Sequence, residues 1–279
     1  MILVTGATGK IGLEVVRLLG EAGAPARALL RNPDKAKGWK GIEVVKGDLD
    51  DSASVAAALA GVDTVFLLSN ANPKQEKAVI EAAVRASVKK IVKISSMGAN
   101  ADSKVNIARG HAESEAALKQ SGVAWTILRP GMFSQNFLNF AHAIKAQGQF
   151  TGSVKDGRVA PIDARDIAAV AVKALLEPGH EGKTYVLTGA ESITHAEAAE
   201  HIGAAIGKPV RYVDVPLEET RAAILGHGLP AWLAEDMVTF QTGIAAGGSN
   251  IIAGDVEKVL GRKPLSFADF ARDYAAAFQ

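Results

Sequence analysis

Three glycines, Gly6, Gly9 and Gly12, stand in the run Val4-Thr-Gly-Ala-Thr-Gly-Lys-Ile-Gly12, directly after the apolar stretch Ile2 to Val4. An apolar helical pattern starts at the third of them. A strand that turns tightly into a helix aims the helix's first backbone N–H groups, and the positive end of its dipole, at one point in space. That point suits a phosphate. Glycine is needed there because a side chain would block the approach of a diphosphate or the packing of helix on strand. The expectation is a dinucleotide site built from Gly6, Thr8, Gly9, Lys10, Ile11 and Gly12. The plainer alternative is a glycine-rich turn with no ligand, and the motif's place between a strand and a helix weighs against it.

An NAD site usually carries Asp or Glu at the end of the second strand, about twenty residues past the glycines, to hold the ribose hydroxyls. Here that place is taken by Arg31, in Ala28-Leu-Leu-Arg-Asn32. A guanidinium presents a planar fork of donors that matches a 2′-phosphate. Lys10 adds a second positive charge inside the glycine motif. These residues favour NADPH (NADP) over NAD(H). Two alternatives stay open: Arg31 begins a solvated loop, or Asp34, three residues later, serves an NAD ribose through a shifted loop. Other strand ends supply the rest of the wall. Asp48 and Leu49 are expected beside the adenine, Leu68, Ser69 and Asn70 at the ribose nearest the nicotinamide, and Ser95 and Ser96 at the reactive ring.

These residues need strands to carry them. Residues 2–4, 26–30, 42–46, 62–68, 90–94 and 124–128 read as strands, alternating with helices at 12–22, 52–59, 73–86 and 107–120. Such alternation means right-handed βαβ crossovers and a parallel sheet covered on both faces. Ligands then sit outside the carboxyl ends of the strands. Further on, 134–147 reads as helical, 158–162 as extended, and 164–176 as helical with Asp163 or Asp166 near its start. Short strands at 184–187 and 210–213 flank a helix at 194–206, and a mostly helical pattern runs from Leu217 to the end. The fold class is α/β: a Rossmann-type doubly wound parallel sheet over residues 1–150. A smaller, mostly helical C-terminal lobe over 151–279 contributes a substrate cleft, with elements returning to the sheet.

Composition narrows the function. Of 279 residues, 48% are apolar, ample for a buried core, and the net charge of +1 offers no electrostatic footprint for nucleic acid or an anionic membrane. No run of about twenty apolar residues occurs, and the start of the chain lacks the flank and cleavage site of a signal peptide, so a cytoplasmic protein is expected. There is no cysteine, which removes disulfides, thiol catalysis and Cys-ligated metals. His142, His180, His195, His201 and His227 show no metal-ligand spacing, and Gly-x-Ser-x-Gly is absent, so neither a metal site nor a hydrolase elbow is expected. The helical pattern permits a homodimer through one face of the sheet without requiring it.

Several stretches together resemble one family over nearly the whole chain. They are the glycine run, Gly47-Asp-Leu49, Gly110-His-Ala-Glu-Ser-Glu115, Leu128-Arg-Pro-Gly-Met-Phe-Ser-Gln-Asn-Phe137 and Asp163-Ala-Arg-Asp-Ile-Ala168. The chain resembles the atypical short-chain dehydrogenase/reductases of the NmrA-like group, and is especially similar to NADPH-dependent quinone reductases and triphenylmethane dye reductases. The resemblance implies a Rossmann domain, a small C-terminal lobe and a cleft between them. Common members of that superfamily use a tyrosine followed four residues later by a lysine, which lowers the tyrosine pKa for proton transfer. Here Tyr185, Tyr212 and Tyr274 are followed at that distance by Gly189, Pro216 and Phe278, so the pair is absent and ordinary alcohol–ketone chemistry is not expected.

At the corresponding stretch stand His111 and Glu115, one turn apart on a helix. Either His111 gives a proton to the acceptor or orients it, or His111, Glu113 and Glu115 form a solvated polar face. A quinone or cationic dye makes a dedicated acid dispensable, because hydride addition yields a stabilised hydroquinone anion or a neutral leuco dye. The protein then has to hold the acceptor against the nicotinamide and exclude water. Met97, Met132, Phe133 and Phe137 are candidates for the acceptor wall, with Asn136 as a polar handle. For Phe133 and Phe137 the alternative is core packing. Trp232, Met237 and Phe240 serve either as a lid or as packing. Some relatives in the group are redox-sensing regulators that bind dinucleotide without turning it over, and that reading stays as the alternative to a reductase.

Overall fold

The computed structural model describes residues 1–226 and 228–279, so His227 lies outside the described residues. The first half alternates as expected: β1 (Ile2–Val4), α1 (Lys10–Glu21), β2 (Ala26–Leu30), β3 (Ile42–Lys46), α2 (Ser52–Ala58), β4 (Thr64–Leu67), α3 (Pro73–Arg85), β5 (Lys90–Ile94), α4 (Asn106–Gln120) and β6 (Ala124–Pro130). The chain continues through α5 (Ala141–Gln147), β7 (Gln149–Gly152), β8 (Arg158–Val159), α6 (Ala164–Leu176), β9 (Lys183–Leu187), β10 (Ile193–Thr194), α7 (His195–Ile206) and β11 (Arg211–Asp214). Helices α8 (Leu217–Gly226), α9 (Ala231–Ala245), α10 (Asp255–Leu260), α11 (Phe267–Asp273) and α12 (Ala275–Phe278) follow.

Seven strands pair in parallel in the order β3-β2-β1-β4-β5-β6-β9. Val4 lies between Ala28 and Phe66, so the strand order reverses between β1 and β4. A crevice opens at such a switch point, beyond the carboxyl ends of the strands. Both faces are covered, which is why Val65, Phe66 and Leu67 are all buried in one unbroken apolar run. On one face α1, α6 and α10 pack through Ile11, Val15, Leu19, Ile167, Ala171 and Val256. On the other, α2, α3 and α4 pack through Val55, Val79, Ile80, Ala83 and Leu118. Local chemistry sets the helix starts: Asp51 accepts from Ala53 N, and Asn72 accepts from Lys74 N and Gln75 N.

Beyond residue 130 elements of the chain return to the main sheet, as the sequence reading expects, while others differ from it. The strand read at 184–187 is the edge strand β9 of the main sheet, with Tyr185 beside Leu128. Helix α6 packs opposite α1 because its apolar face is buried along its whole length, so β6, α6 and β9 form one more crossover unit. In space the main sheet therefore draws on residues well past 150. The segment read as a helix at 134–147 is a 3-10 turn over Ser134–Phe140 followed by α5. Its first turn is tied to a neighbouring strand-like segment, Ser134 N donating to Ile162 O at 2.9 Å. The lobe also holds two small sheets, β7 with β11 in parallel and β8 with β10 antiparallel. Neither β7 nor β10 is expected from the sequence, and β10 is only two residues long.

Helix α9 belongs to the lobe but is latched to the sheet domain. The buried Asp236 carboxylate accepts from Asn106 N and Ile107 N at 2.9 Å each, capping the start of α4 from a distant part of the chain. Replacing this cap leaves the Asn106 and Ile107 N–H groups at the start of α4 without their partner. Asp236→Ala is expected to cost about 1–2 kcal/mol. In a chain of this size that corresponds to roughly 2–4 °C in thermal midpoint for each kcal/mol. A thermal melt within error of the wild type would show that the latch contributes nothing.

Candidate active site

The glycine run forms a tight loop that lines a cleft. Gly6 sits at φ +63°, and a Cβ there would stand 2.8 Å from the carbonyl oxygen of Leu68. A Cβ on Gly12 would stand 2.1 Å from Gly6 O, so the first turn of α1 lies directly against the loop that enters it. Thr5 ties the base of the crevice: its hydroxyl donates to Leu68 O at 2.8 Å and accepts from Leu68 N at 2.9 Å. Gly6, Thr8, Gly9, Lys10 and Ile11 line a cleft of about 770 Å³. A cavity of that size is within the usual range for a cofactor pocket. Gly12 is not in its wall and acts through packing.

Arg31, at the end of β2, lies in the same wall, together with Asn32 and Lys35. Lys35 is a second cation that sequence reading passed over. It follows from the Asn32 side chain, which accepts from Asp34 N and starts the short 3-10 turn Pro33–Ala36. Asp34 points elsewhere: it pairs with Lys37 at 3.5 Å and does not line the cleft, so the shifted-loop reading for an NAD ribose has no support. Lys10, in the same wall, donates its ammonium to Gln135 O at 3.0 Å and Asn136 Oδ1 at 3.4 Å in the segment after β6. Gly47, Asp48 and Leu49 close the cleft at the end of β3.

Leu68, Ser69 and Asn70 form the wall after β4. The loop is strained, since Ala71 holds φ +52° with a side chain, a conformation that costs about 1–3 kcal/mol. Ser69 closes it by accepting from Asn72 N at 3.2 Å and donating to Glu76 Oε1 at 3.0 Å. Beside the cleft lies a smaller pocket of about 210 Å³, and Phe133 belongs to both walls. Ser96, Met97, Met132 and Asn136 line this pocket as expected from the strand ends. Phe240 and Ile251 reach it from the lobe. Trp232 and Met237 are exposed on α9 and lie outside both walls.

Three candidates are placed away from both cavities. Phe137 is 1% exposed and packs edge-on against Phe150 and Phe267 in the lobe core, which corresponds to the core-packing alternative. Ser95 is buried and donates to Glu115 Oε1 at 2.6 Å, behind the wall. His111 is buried with its Nδ1 unpartnered, and burial together with the nearby Lys93 ammonium pushes its pKa down to about 4. It is a neutral imidazole at physiological pH, without the near-neutral titration that made it attractive as an acid. The solvated-face alternative fails as well: Glu115 is buried against Arg129 at 2.6 Å, and only Glu113 is exposed, paired with Lys77.

A hydrogen-bond chain joins the glycine loop to the second half of the molecule. Gln135, whose carbonyl receives Lys10, donates from its side chain to Asp163 Oδ1 at 2.9 Å and accepts from Ala164 N. Asp163 caps α6 and holds Arg165, which reaches Asp273 on α11 at 2.6 Å. Among the described residues no group of three His, Cys, Asp or Glu side chains is arranged to hold a metal, and no helix is long and apolar enough to cross a membrane.

Residues 1–265 match the NmrA-like family. The chain is 44% identical over 286 residues to an NAD(P)H azoreductase from Xenophilus azovorans, covering 100% of this chain and 99% of the relative. It is 34% identical to quinone oxidoreductase 2 of Escherichia coli, covering 96% of each. The structure of an Escherichia coli NADPH-dependent quinone oxidoreductase in complex with NADPH superposes with a TM-score of 0.87 at 33% identity, covering 98% of this chain and 99% of that one. The Citrobacter sp. triphenylmethane reductase complexed with NADP(H) gives 0.86 at 27% identity, covering 99% and 100%.

The buried imidazoles make stability depend on pH with a definite sign. His195, in the aromatic core of the lobe, is pushed by burial to about 4, like His111, against an ordinary value of 6.5. Below 6.5 the unfolded chain takes up protons that the folded chain refuses. Stability is therefore complete above pH 6.5 and drains away toward pH 4, by up to about 3 kcal/mol for each histidine. Melts between pH 7 and 4.5 should show this fall, and His111→Asn should flatten its own share. An unchanged slope in that variant would mean that the imidazole titrates normally in the folded protein.

Proposed function

The chain belongs to the NmrA-like family, and on that premise we propose that it is an NADPH-dependent reductase passing hydride to an electrophilic aromatic acceptor, a quinone or a dye. The observation that carries this reading is that the large cleft lined by the glycine loop and a small apolar pocket share Phe133 as a common wall. The named activities of the relatives support it: an NAD(P)H azoreductase, a quinone oxidoreductase and a triphenylmethane reductase. All three acceptor types are electrophilic before the protein acts on them. The absent tyrosine–lysine pair is therefore no obstacle.

The nucleotide supplies the hydride when bound; the chain supplies position and a dry surround. Backbone N–H groups of the glycine loop hold the diphosphate with the dipole of α1 behind them. Arg31 and Lys35 hold the 2′-phosphate, while Asp48 and Leu49 flank the adenine. Ser69 and Asn70 border the far ribose. Met97, Met132, Phe133, Phe240 and Ile251 present an apolar surface that orients the acceptor plane and excludes water. A cavity of about 150 Å³ holds benzene, so a pocket of about 210 Å³ takes one substituted ring and leaves the rest of a larger dye outside. Water at the pocket mouth completes protonation, because the buried neutral His111 is not in the pocket wall.

Loss of NADPH absorbance with benzoquinone, naphthoquinone and malachite green as acceptors tests the reading. Tight NADPH binding with no turnover on any of them would point instead to a dinucleotide-sensing regulator. Arg31→Asp is expected to weaken NADPH binding by roughly ten- to a hundredfold, the value of a charge-assisted hydrogen bond, and to leave NADH binding nearly unchanged. Equal losses for both coenzymes would remove Arg31 from the 2′-phosphate site. Phe240→Ala is expected to raise the acceptor KM roughly five- to tenfold through lost apolar contact, at constant NADPH affinity. Unchanged acceptor kinetics would place the ring elsewhere.

A further inference from the structure

Behind the cleft wall lies a buried ion pair that the proposed hydride transfer leaves unexplained. Lys93 on β5 and Glu76 on α3 have side chains only 0% and 1% exposed, with Nζ and Oε2 2.8 Å apart. The hydrogen bond from Lys93 Nζ goes to Ile94 O at 2.9 Å. Removing two charges from water costs so much that well-packed apolar residues of similar volume usually stabilise a fold equally well. Stability alone does not call for this pair.

The other carboxylate oxygen of Glu76 shows what the pair does. Oε1 accepts from the hydroxyl of Ser69, and the same hydroxyl accepts from Asn72 N, bracing the loop that passes through the left-handed Ala71. Ser69 lines the large cleft; Glu76 and Lys93 do not. A hydroxyl has one proton to give and two lone pairs to offer. With the proton committed to Glu76 and one lone pair to Asn72, a single acceptor position remains.

We infer that Lys93 and Glu76 are positioning residues for the dinucleotide, holding the Ser69 hydroxyl in the cleft wall as a hydrogen-bond acceptor for a donor on the bound nucleotide, such as a ribose hydroxyl. This rests on the dinucleotide reading of the cleft. Lys93 anchors Glu76, Glu76 fixes the direction of the Ser69 proton, and that direction sets the polarity the wall presents. Neither charged residue touches the nucleotide.

The test is a double-mutant cycle read by NADPH titration of the full chain. Ser69→Ala is expected to raise the Kd about fivefold, the value of one ordinary hydrogen bond. Lys93→Met combined with Glu76→Leu, which removes both charges at similar volume, should raise it by the same factor. Adding Ser69→Ala to that background should change nothing further. Affinity for adenosine 2′,5′-bisphosphate, which fills only the Arg31 end, should stay constant throughout, whereas a general loosening of the cleft would weaken it. Losses that multiply, or wild-type affinity in the charge-free variant, would overturn the inference and leave the reductase reading intact. Wild-type protein that fails to bind NADPH would remove both. Should the charge-free variant not fold, the cycle is run with Lys93→Leu combined with Glu76→Met, which likewise removes both charges together, and independent losses there overturn the inference equally.

Discussion

Between the first turn of α1 and the loop that feeds it there is room for a hydrogen atom and nothing larger. The Cβ position of Gly12 lies 2.1 Å from Gly6 O, and that of Gly6 lies 2.8 Å from Leu68 O. These two approaches bring the N-terminus of α1 against the ends of β1 and β4, where the order of the sheet reverses. Every other part of the cleft is arranged around that point. The ends of β2 and β3 supply Arg31 and Asp48 at one side, and the loop after β4 supplies Ser69 at the other.

The lobe is not an independent body placed over this cleft. Lys10 in the glycine motif reaches Gln135, Gln135 reaches Asp163, and Asp163 with Arg165 leads to Asp273 near the end of the chain. A second tie runs from Asp236 on α9 to the start of α4. Between these ties the lobe has its own core of Phe137, Phe150, Phe267 and Phe270. The ties matter because Phe240 and Ile251 line the smaller pocket from the lobe side. Chemistry that rests on orientation and dryness needs walls that hold their places.

Polar groups divide in the same way. Arg31, Lys35 and Asp48 line the cleft surface, and among the described residues no hydrogen bond or ion pair engages the Arg31 guanidinium. Those behind it, Glu76, Lys93, Ser95, His111 and Glu115, are buried and face one another. Their desolvation is what lowers the pKa of His111 and pulls the Lys93 ammonium below the ordinary lysine range. A histidine that looks catalytic by its residue type is, in place, a neutral neighbour of a buried cation.

The local code was legible in the sequence. Gly6 and Gly12 hold approaches that only glycine permits, and Arg31 follows from counting along one strand. The strands of the first half were readable because burial on both faces leaves near-continuous apolar runs. The rest had to wait for the fold. Whether Phe137 faces a substrate or a core, whether Lys10 turns to a phosphate or to Gln135, and whether His111 is wet or dry depend on which distant segments arrive beside them. Sequence spacing determined which residues share a turn or a strand end; the tertiary structure decided which of them meet solvent, since burial is a property of the neighbours across the fold and not of the chain on either side.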